Sequence, residues 1–267
     1  MMYDRASVIV RGPRPPSGTQ AVVRAIHLLK AITQSSHPVS LDLLSNELGL
    51  SKPTAHRILS ALISEGMVRQ DPATRCFAPG PESLALSANA IRQHDLRSLA
   101  RPVLEKLVLQ YGETTTLEIR VGSEMLILDE VVSSQLVGAQ AEIGTRWPIY
   151  ATSSGKIALS TLSPTEISAY LKLARQALTD RTLVSKKKLL DELDRAQKDG
   201  YAIVEGELQM GFSAVSAAIG DENGRALATL SIGGPGDRLN RSTLRRLGSV
   251  LCEEAQELER PGRVMAG

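Results

Sequence analysis

Two groups of side chains in this sequence have types and spacings suited to chemistry. In the first, Lys52, Thr54, His56, Arg57 and Ser60 fall on the side of a helical segment opposite Ala55, Ile58, Leu59 and Leu62, with Ser51 at its start. Donors and small polar groups near a helix N-terminus suit phosphate oxygens and base edges in the major groove of duplex DNA. Arg57 is the first choice for a strong contact. Arg69 and Arg75 flank a short turn just downstream, where they would reach the sugar-phosphate backbone. Taken singly, each of these is an ordinary solvated side chain; the constellation carries the reading.

The second group is Trp147-Pro148-Ile149-Tyr150-Ala151-Thr152-Ser153-Ser154-Gly155-Lys156, which leads from a strand into a helix through small hydroxyl residues. Unsatisfied N–H groups and the helix dipole at such a start favour an anion, most simply a carboxylate. A plain capping loop would have the same composition, and both readings stand at this point. An enzyme reading would make Ser153 or Ser154 a nucleophile with Lys156 as base. It lacks a G-x-S-x-G elbow or a triad signature, and the four histidines, His27, His37, His56 and His94, all precede this segment.

The elements that must position these residues can be read from local signals. Residues 1–18 are rich in proline and glycine and are expected to form a flexible arm, in which Arg11 and Arg14 either enter a minor groove or remain solvated. From Thr19, residues Val22, Ile26, Leu29 and Ile32, with Ala25 and Leu28, recur at the spacing of one apolar helix face. Ser40 is an N-cap with Asp42 in the first turn and Val39 placed to pack on Leu44. That second helix runs to about Glu47, Gly49 follows as a left-handed residue, and Ser51 caps a third helix with Pro53 near its start. Two helices separated by a few residues with a glycine in the turn form a helix-turn-helix. After Gly66, Met67–Gln70 and Arg75–Ala78 are expected to pair around Asp71-Pro72-Ala73-Thr74 as a wing, with Phe77 anchoring it. The winged module therefore spans residues 19–80.

Residues 81–95 read as a linker helix and 96–262 as a second, α+β domain. Its expected elements are a helix from Leu96 to Tyr111, strands Thr114–Val121 and Met125–Val132, and a third strand near Leu136–Ile143. Further on come a helix from a capping box at Ser163 to about Ala174, and another over Lys186–Asp199. Strands Tyr201–Glu205, Ala214–Gly220 and Arg225–Gly233 and a final helix from Ser242 to Glu259 complete the domain. The sheet is expected to be mostly antiparallel.

The bulk numbers agree with two domains: 267 residues, 42% apolar and 22% charged, can bury a substantial core. Residues 1–80 hold nine Lys/Arg and five Asp/Glu, whereas 81–267 hold 22 and 24, so the net positive charge sits at the end with the winged module. Cys76 and Cys252 lie far apart without a histidine cluster, which disfavours a structural metal or a disulfide framework. No cofactor is expected. The absence of a long apolar run or secretory pattern points to a soluble cytoplasmic protein.

The segment VSLDLLSNELGLSKPTAHRILSALISEGMVRQDPATRCFAPG, residues 39–80, closely resembles the isocitrate lyase regulator (IclR) family of bacterial transcription factors, and the match continues through the rest of the chain. The resemblance implies a winged helix-turn-helix bound to operator DNA, a linker helix and a C-terminal effector-binding domain with a GAF-like antiparallel sheet. It also implies assembly as a homodimer or a dimer of dimers, with the first helix as an interface. Pro53 departs from the small polar residue of many members and removes a side chain that would contact DNA. By position, the resemblance gives Ser153 and Ser154 the task of binding an effector carboxylate. It places Val204, Ala214, Ser231 and Gly233 in the pocket, where some members carry an aspartate, a cysteine and two serines, with Trp147 and Phe212 on an apolar patch. A less polar pocket is expected, suited to a carboxylate on an aromatic or otherwise apolar body. Trp147 has a second reading, as a core or interface residue.

Overall fold

The computed structural model describes residues 16, 18–35, 37–86, 95–133 and 143–259. They form two compact units, divided between His94 and Asp95.

In the first unit, α1 (Gln20–Gln34), α2 (Leu41–Glu47) and α3 (Lys52–Ser64) pack around Leu28, Ile32, Val39, Leu44, Leu59, Val68 and Phe77. Local chemistry sets the helix ends. The Ser40 hydroxyl accepts from the Leu43 amide and the Ser51 hydroxyl from the Thr54 amide, while Gly49, at φ 61°, takes the left-handed turn between α2 and α3. The apolar stripe of α1 differs from the expected one. Leu28 and Ile32 are buried, whereas Val22 and Ile26 are 60% and 46% exposed, because α3 and the wing cover only the later turns of that face.

The wing strands are β1 (Val68–Gln70) and β2 (Phe77–Pro79), paired antiparallel with Val68 opposite Pro79. Its turn is longer than expected and takes Arg75 and Cys76 out of the returning strand. The Asp71 carboxylate accepts the amides of Ala73 and Thr74, both at 2.8 Å, and Arg75 then adopts φ 60° to close the loop on the Asp71 carbonyl. Val39 adds a short bridge to Phe77 through two 2.8 Å backbone bonds, so its contribution exceeds the packing contact expected of it. After Gly80, residues 81–86 are helical; the remainder of the expected linker helix, 87–94, lies outside the described residues.

The second unit is built on α4 (Asp95–Tyr111), β3 (Thr114–Val121), β4 (Glu124–Val131), β5 (Arg146–Pro148), α5 (Ser153–Ser160), α6 (Pro164–Tyr170), α7 (Lys186–Asp199), β6 (Tyr201–Glu205), β7 (Phe212–Gly220), β8 (Ala226–Pro235) and α8 (Arg241–Glu259). The strands form one antiparallel sheet in the order β5-β4-β3-β8-β7-β6. Of the expected third strand, 136–142 lies outside the described residues and Ile143 is in a turn; β5 is the strand found beyond it. The α6 helix stops at Tyr170, short of the expected Ala174, with Leu171 and Lys172 in a closing turn.

Period-two alternation gives the sheet two working faces. Leu117, Val215, Ala217, Ile219, Leu230 and Ile232 point outward into a core with α4 and α8. Across that core, buried Asp129 of β4 is held by Arg97 and Arg101 of α4 at 3.3 and 3.1 Å. The inner face meets α5, whose eight residues are all buried between the sheet and α7. Gly155 makes this approach possible, since a Cβ there would lie 2.1 Å from the carbonyl oxygen of Ile149 in the 3-10 turn Ile149–Ala151.

Candidate functional site

On α3, Lys52, His56, Arg57 and Ser60 are exposed on the face opposite buried Ala55 and Leu59. Ser51 and Thr54 are partly committed to each other: the Ser51 hydroxyl caps the Thr54 amide, and the two side-chain oxygens lie 2.8 Å apart. Lys52 pairs with Asp42 of α2 at 2.9 Å, and both partners are well exposed, so a phosphate would compete with the carboxylate at small cost. Arg57 and His56 stand clear of ion pairs among the described residues. Arg69 and Arg75 are exposed on the wing, one on β1 and one in its turn. The polar face of a helix and a flanking hairpin bearing cations are thus presented by one small module.

In the second unit, α5 sets its first turn over the inner face of the sheet. Thr152 caps the helix by accepting from the Gly155 amide at 3.0 Å, which leaves the amides of Ser153 and Ser154 without a partner four residues earlier in the chain. Both serine side chains are buried and point at the sheet. The Ser153 hydroxyl lies 2.7 Å from that of Ser216, which donates to Ser231 at 2.8 Å; Ser231 in turn donates to Glu118 at 3.0 Å. Ser154 donates to the second oxygen of Glu118 at 2.6 Å, and Thr116 donates to the first at 2.8 Å. Strand register explains the cluster, because Ser216 and Thr116 lie on either side of Ser231 on neighbouring strands. Burial pushes the Glu118 carboxyl above its ordinary range, and the hydroxyl bonds from Ser154, Thr116 and Ser231 oppose that shift.

The adjoining row of the same face is apolar. Val204, Ala214 and Gly233 are successive register partners on β6, β7 and β8. The Phe212 ring lies over Gly233, where a Cβ would come within 2.6 Å of it and 3.5 Å of the Ala214 Cβ. Polarity has therefore moved one residue pair along the strands, to Ser216, Ser231, Thr116 and Glu118. Reading the pocket positions alone missed this. Trp147 is on the edge strand β5 opposite Met125, five strand spacings from Val204, about 24 Å along the sheet. The structure brings Ser153, Ser154, Ser231, Val204, Phe212, Ala214 and Gly233 to one region and sets Trp147 at the far side of the same face.

Glu118, Thr116 and Ser216 escaped the sequence reading. A signal existed: Glu118 shares the parity of Thr114 and Thr116 in a strand of β-branched residues, with Leu117 and Ile119 on either side. Lys156 is fully buried and bonded to Glu207, which burial pushes upward and Lys156 draws down. The side chains that a hydrolase would recruit are thus engaged with Ser216, Glu118 and Glu207. A cavity of about 270 Å³ lies elsewhere, between α7 and β6, lined by charged groups that include the pairs Arg195–Glu192 and Arg241–Glu205.

Residues 21–72 match the family described as the IclR helix-turn-helix domain, and residues 88–260 match the bacterial transcriptional regulator IclR C-terminal family. The chain belongs to the IclR family. IclR-type proteins are DNA-binding transcriptional regulators, and this one is 31% identical over 258 residues to the acetate operon repressor of Salmonella typhimurium, covering 93% of this chain and 94% of that protein. Among solved structures, the IclR transcriptional regulator of Alicyclobacillus acidocaldarius superposes with a TM-score of 0.80 at 23% identity, covering 90% of this chain and 97% of the other. An IclR homologue from Microbacterium hydrocarbonoxydans, complexed with 4-hydroxybenzoate, gives 0.74 at 20% identity, with coverage of 89% and 99%. Both share the α+β architecture described above. Among the described residues, no helix of this IclR chain is long and apolar enough to cross a membrane.

Proposed function

We propose that this IclR-family regulator reads operator DNA with residues 19–80 and binds an effector with residues 96–262, joined by the segment 81–95. The α3 residues Lys52, Thr54, His56 and Arg57, with Ser51 at the cap, enter the major groove, and Arg69 and Arg75 of the wing hold the flanking backbone. Replacing Arg57 with alanine is expected to weaken operator binding by about 1–3 kcal/mol without unfolding the module. A titration at fixed salt that finds unchanged affinity would remove Arg57 from the reading surface. Alanine at Arg69 or Arg75 should instead lower affinity for all sequences alike and flatten the salt slope.

The effector is a carboxylate carried by an aromatic or otherwise apolar body. The observation that carries this reading is the buried start of α5, where the Ser153 and Ser154 amides have no partner in the helix, beside a sheet whose next row, Val204, Ala214 and Gly233 with Phe212 above, is apolar. Ser231 completes the candidate lining, whereas Trp147 stands at the far side of the same face. A fold relative complexed with 4-hydroxybenzoate is in keeping with this chemistry. Calorimetry against aromatic and short aliphatic carboxylates tests it: aromatic acids should bind, and Ala214→Asp should weaken them by about tenfold or more, since it adds a like charge and a desolvation cost. Tight binding of glyoxylate or pyruvate with no response to aromatic acids would overturn the reading.

The chain acts as a homodimer or a dimer of dimers. Support comes from Val22 and Ile26, exposed on α1, beside an apolar groove lined by Ile26, Leu29, Met67 and Leu86. Light scattering should find at least a dimer at micromolar concentration; a monomer with and without DNA would exclude it.

A further inference from the structure

Four carboxylates of the described residues are buried: Glu113, Glu118, Asp129 and Glu207. Three of them have cations. Arg238 grips Glu113 at 2.6 Å, Arg97 and Arg101 hold Asp129, and Lys156 binds Glu207. Glu118 alone among them has no cation partner, although it is only 5% exposed. Its partners are the hydroxyls of Thr116, Ser154 and Ser231. The only lysine on α5, Lys156, is already neutralised by Glu207. A buried carboxyl without a counter-charge is costly, and the cost falls when a cation is supplied.

The hydroxyls around Glu118 have spent their protons. Each carries one, and Thr116, Ser154 and Ser231 direct theirs at the carboxylate, while Ser216 directs its own at Ser231. What they still offer a ligand is lone pairs. A carboxylate and a set of hydroxyl acceptors complement a group rich in N–H donors, such as an ammonium. Ser154 belongs to both recognition elements, because its amide is free at the start of α5 and its side chain touches Glu118.

We propose that the effector is a zwitterion, an apolar α-amino acid whose carboxylate takes the amides of Ser153 and Ser154 and whose ammonium pairs with Glu118. This inference rests on the carboxylate reading above and narrows it. An acid of the same body without the nitrogen brings a second carboxylate up to Glu118, where two like charges oppose each other. Glu118 is then the residue that separates amino acids from their deaminated analogues.

The test uses the full-length protein, native and Glu118→Gln, and calorimetry with L-phenylalanine, L-leucine, 3-phenylpropanoate, 4-methylpentanoate and 2-phenylethylamine. In the native protein at least one amino acid should bind about tenfold or more tightly than its deaminated partner, the scale of one hydrogen bond to a charged group. In Glu118→Gln that preference should vanish. The native protein by itself can refute the idea. Equal or tighter binding of 3-phenylpropanoate or 4-methylpentanoate overturns the zwitterion and leaves the carboxylate reading standing. Binding of 2-phenylethylamine with no response to any acid overturns both, and the absence of binding by all five overturns the zwitterion.

Discussion

Replacing Lys156 with methionine is expected to destabilise the second unit by about 3–5 kcal/mol, the usual cost of leaving one member of a buried ion pair alone. Lys156 is fully buried on α5, and its ammonium is bonded to Glu207, itself 7% exposed in the stretch after β6. Methionine keeps most of the volume and strands the carboxylate. Because burial already raises the Glu207 pKa and Lys156 is the main influence holding it down, the substitution drives it higher. The sign of the pH dependence follows. An acid whose folded-state pKa is raised contributes stability at low pH that is lost as the pH rises through that pKa. The deficit of Lys156→Met should therefore shrink on acidification. The double variant Lys156→Met/Glu207→Leu should recover most of the loss, since an apolar pair of matching volume needs no counter-charge. Denaturant unfolding followed by fluorescence of Trp147, the single tryptophan, reads the unit directly. A single variant as stable as the native chain would show that the pair does not hold α5 in place.

The second large effect is expected at Gly155, where alanine should cost about 3 kcal/mol or more and abolish effector binding. Helix propensity taken alone predicts the opposite, a gain of about 1 kcal/mol for Gly→Ala inside a helix. Geometry decides the sign. The new methyl would sit 2.1 Å from the Ile149 oxygen and 2.5 Å from its Cα, and backbone atoms cannot rotate aside as a side chain can. Either α5 or the turn Ile149–Ala151 must move, and Ser153 and Ser154 move with it. Binding to DNA by the winged module at low salt should survive. A Gly155→Ala variant with an unchanged or higher melting temperature would contradict the close packing of α5 on that turn.

Much of the local structure is settled by runs of a few neighbouring residues. Ser40, Ser51 and Ser163 cap helices as their types suggest, Gly200 at φ 79° ends α7, and the helix-turn-helix follows from Gly49 between two apolar-faced helices. Strands β3, β6 and β8 begin within a residue of where alternation places them. The exposed face of α3 was legible for the same reason, since helical period and apolar spacing together fix which side meets the core. The remainder depends on contacts between segments far apart in the chain. Glu118 meets Ser154 across 36 positions and Ser231 across 113, and no local rule specifies which strand lies beside which. The loss of Arg75 from the wing strand came from the Asp71 side chain competing for backbone amides; the exposure of Val22 and Ile26 came from the limited reach of the neighbouring helices. The polarity of the inner face is the clearest case. Val204, Ala214 and Gly233 are apolar residues one by one, but the pairing of β3 with β8 brings Thr116 and the buried acid Glu118 to Ser216 and Ser231 beside them, and the linear pattern does not pair those two strands. Burial is a sum over everything that packs around a group, so the state of Glu118 and the chemistry it imposes exist only once the strands are in register.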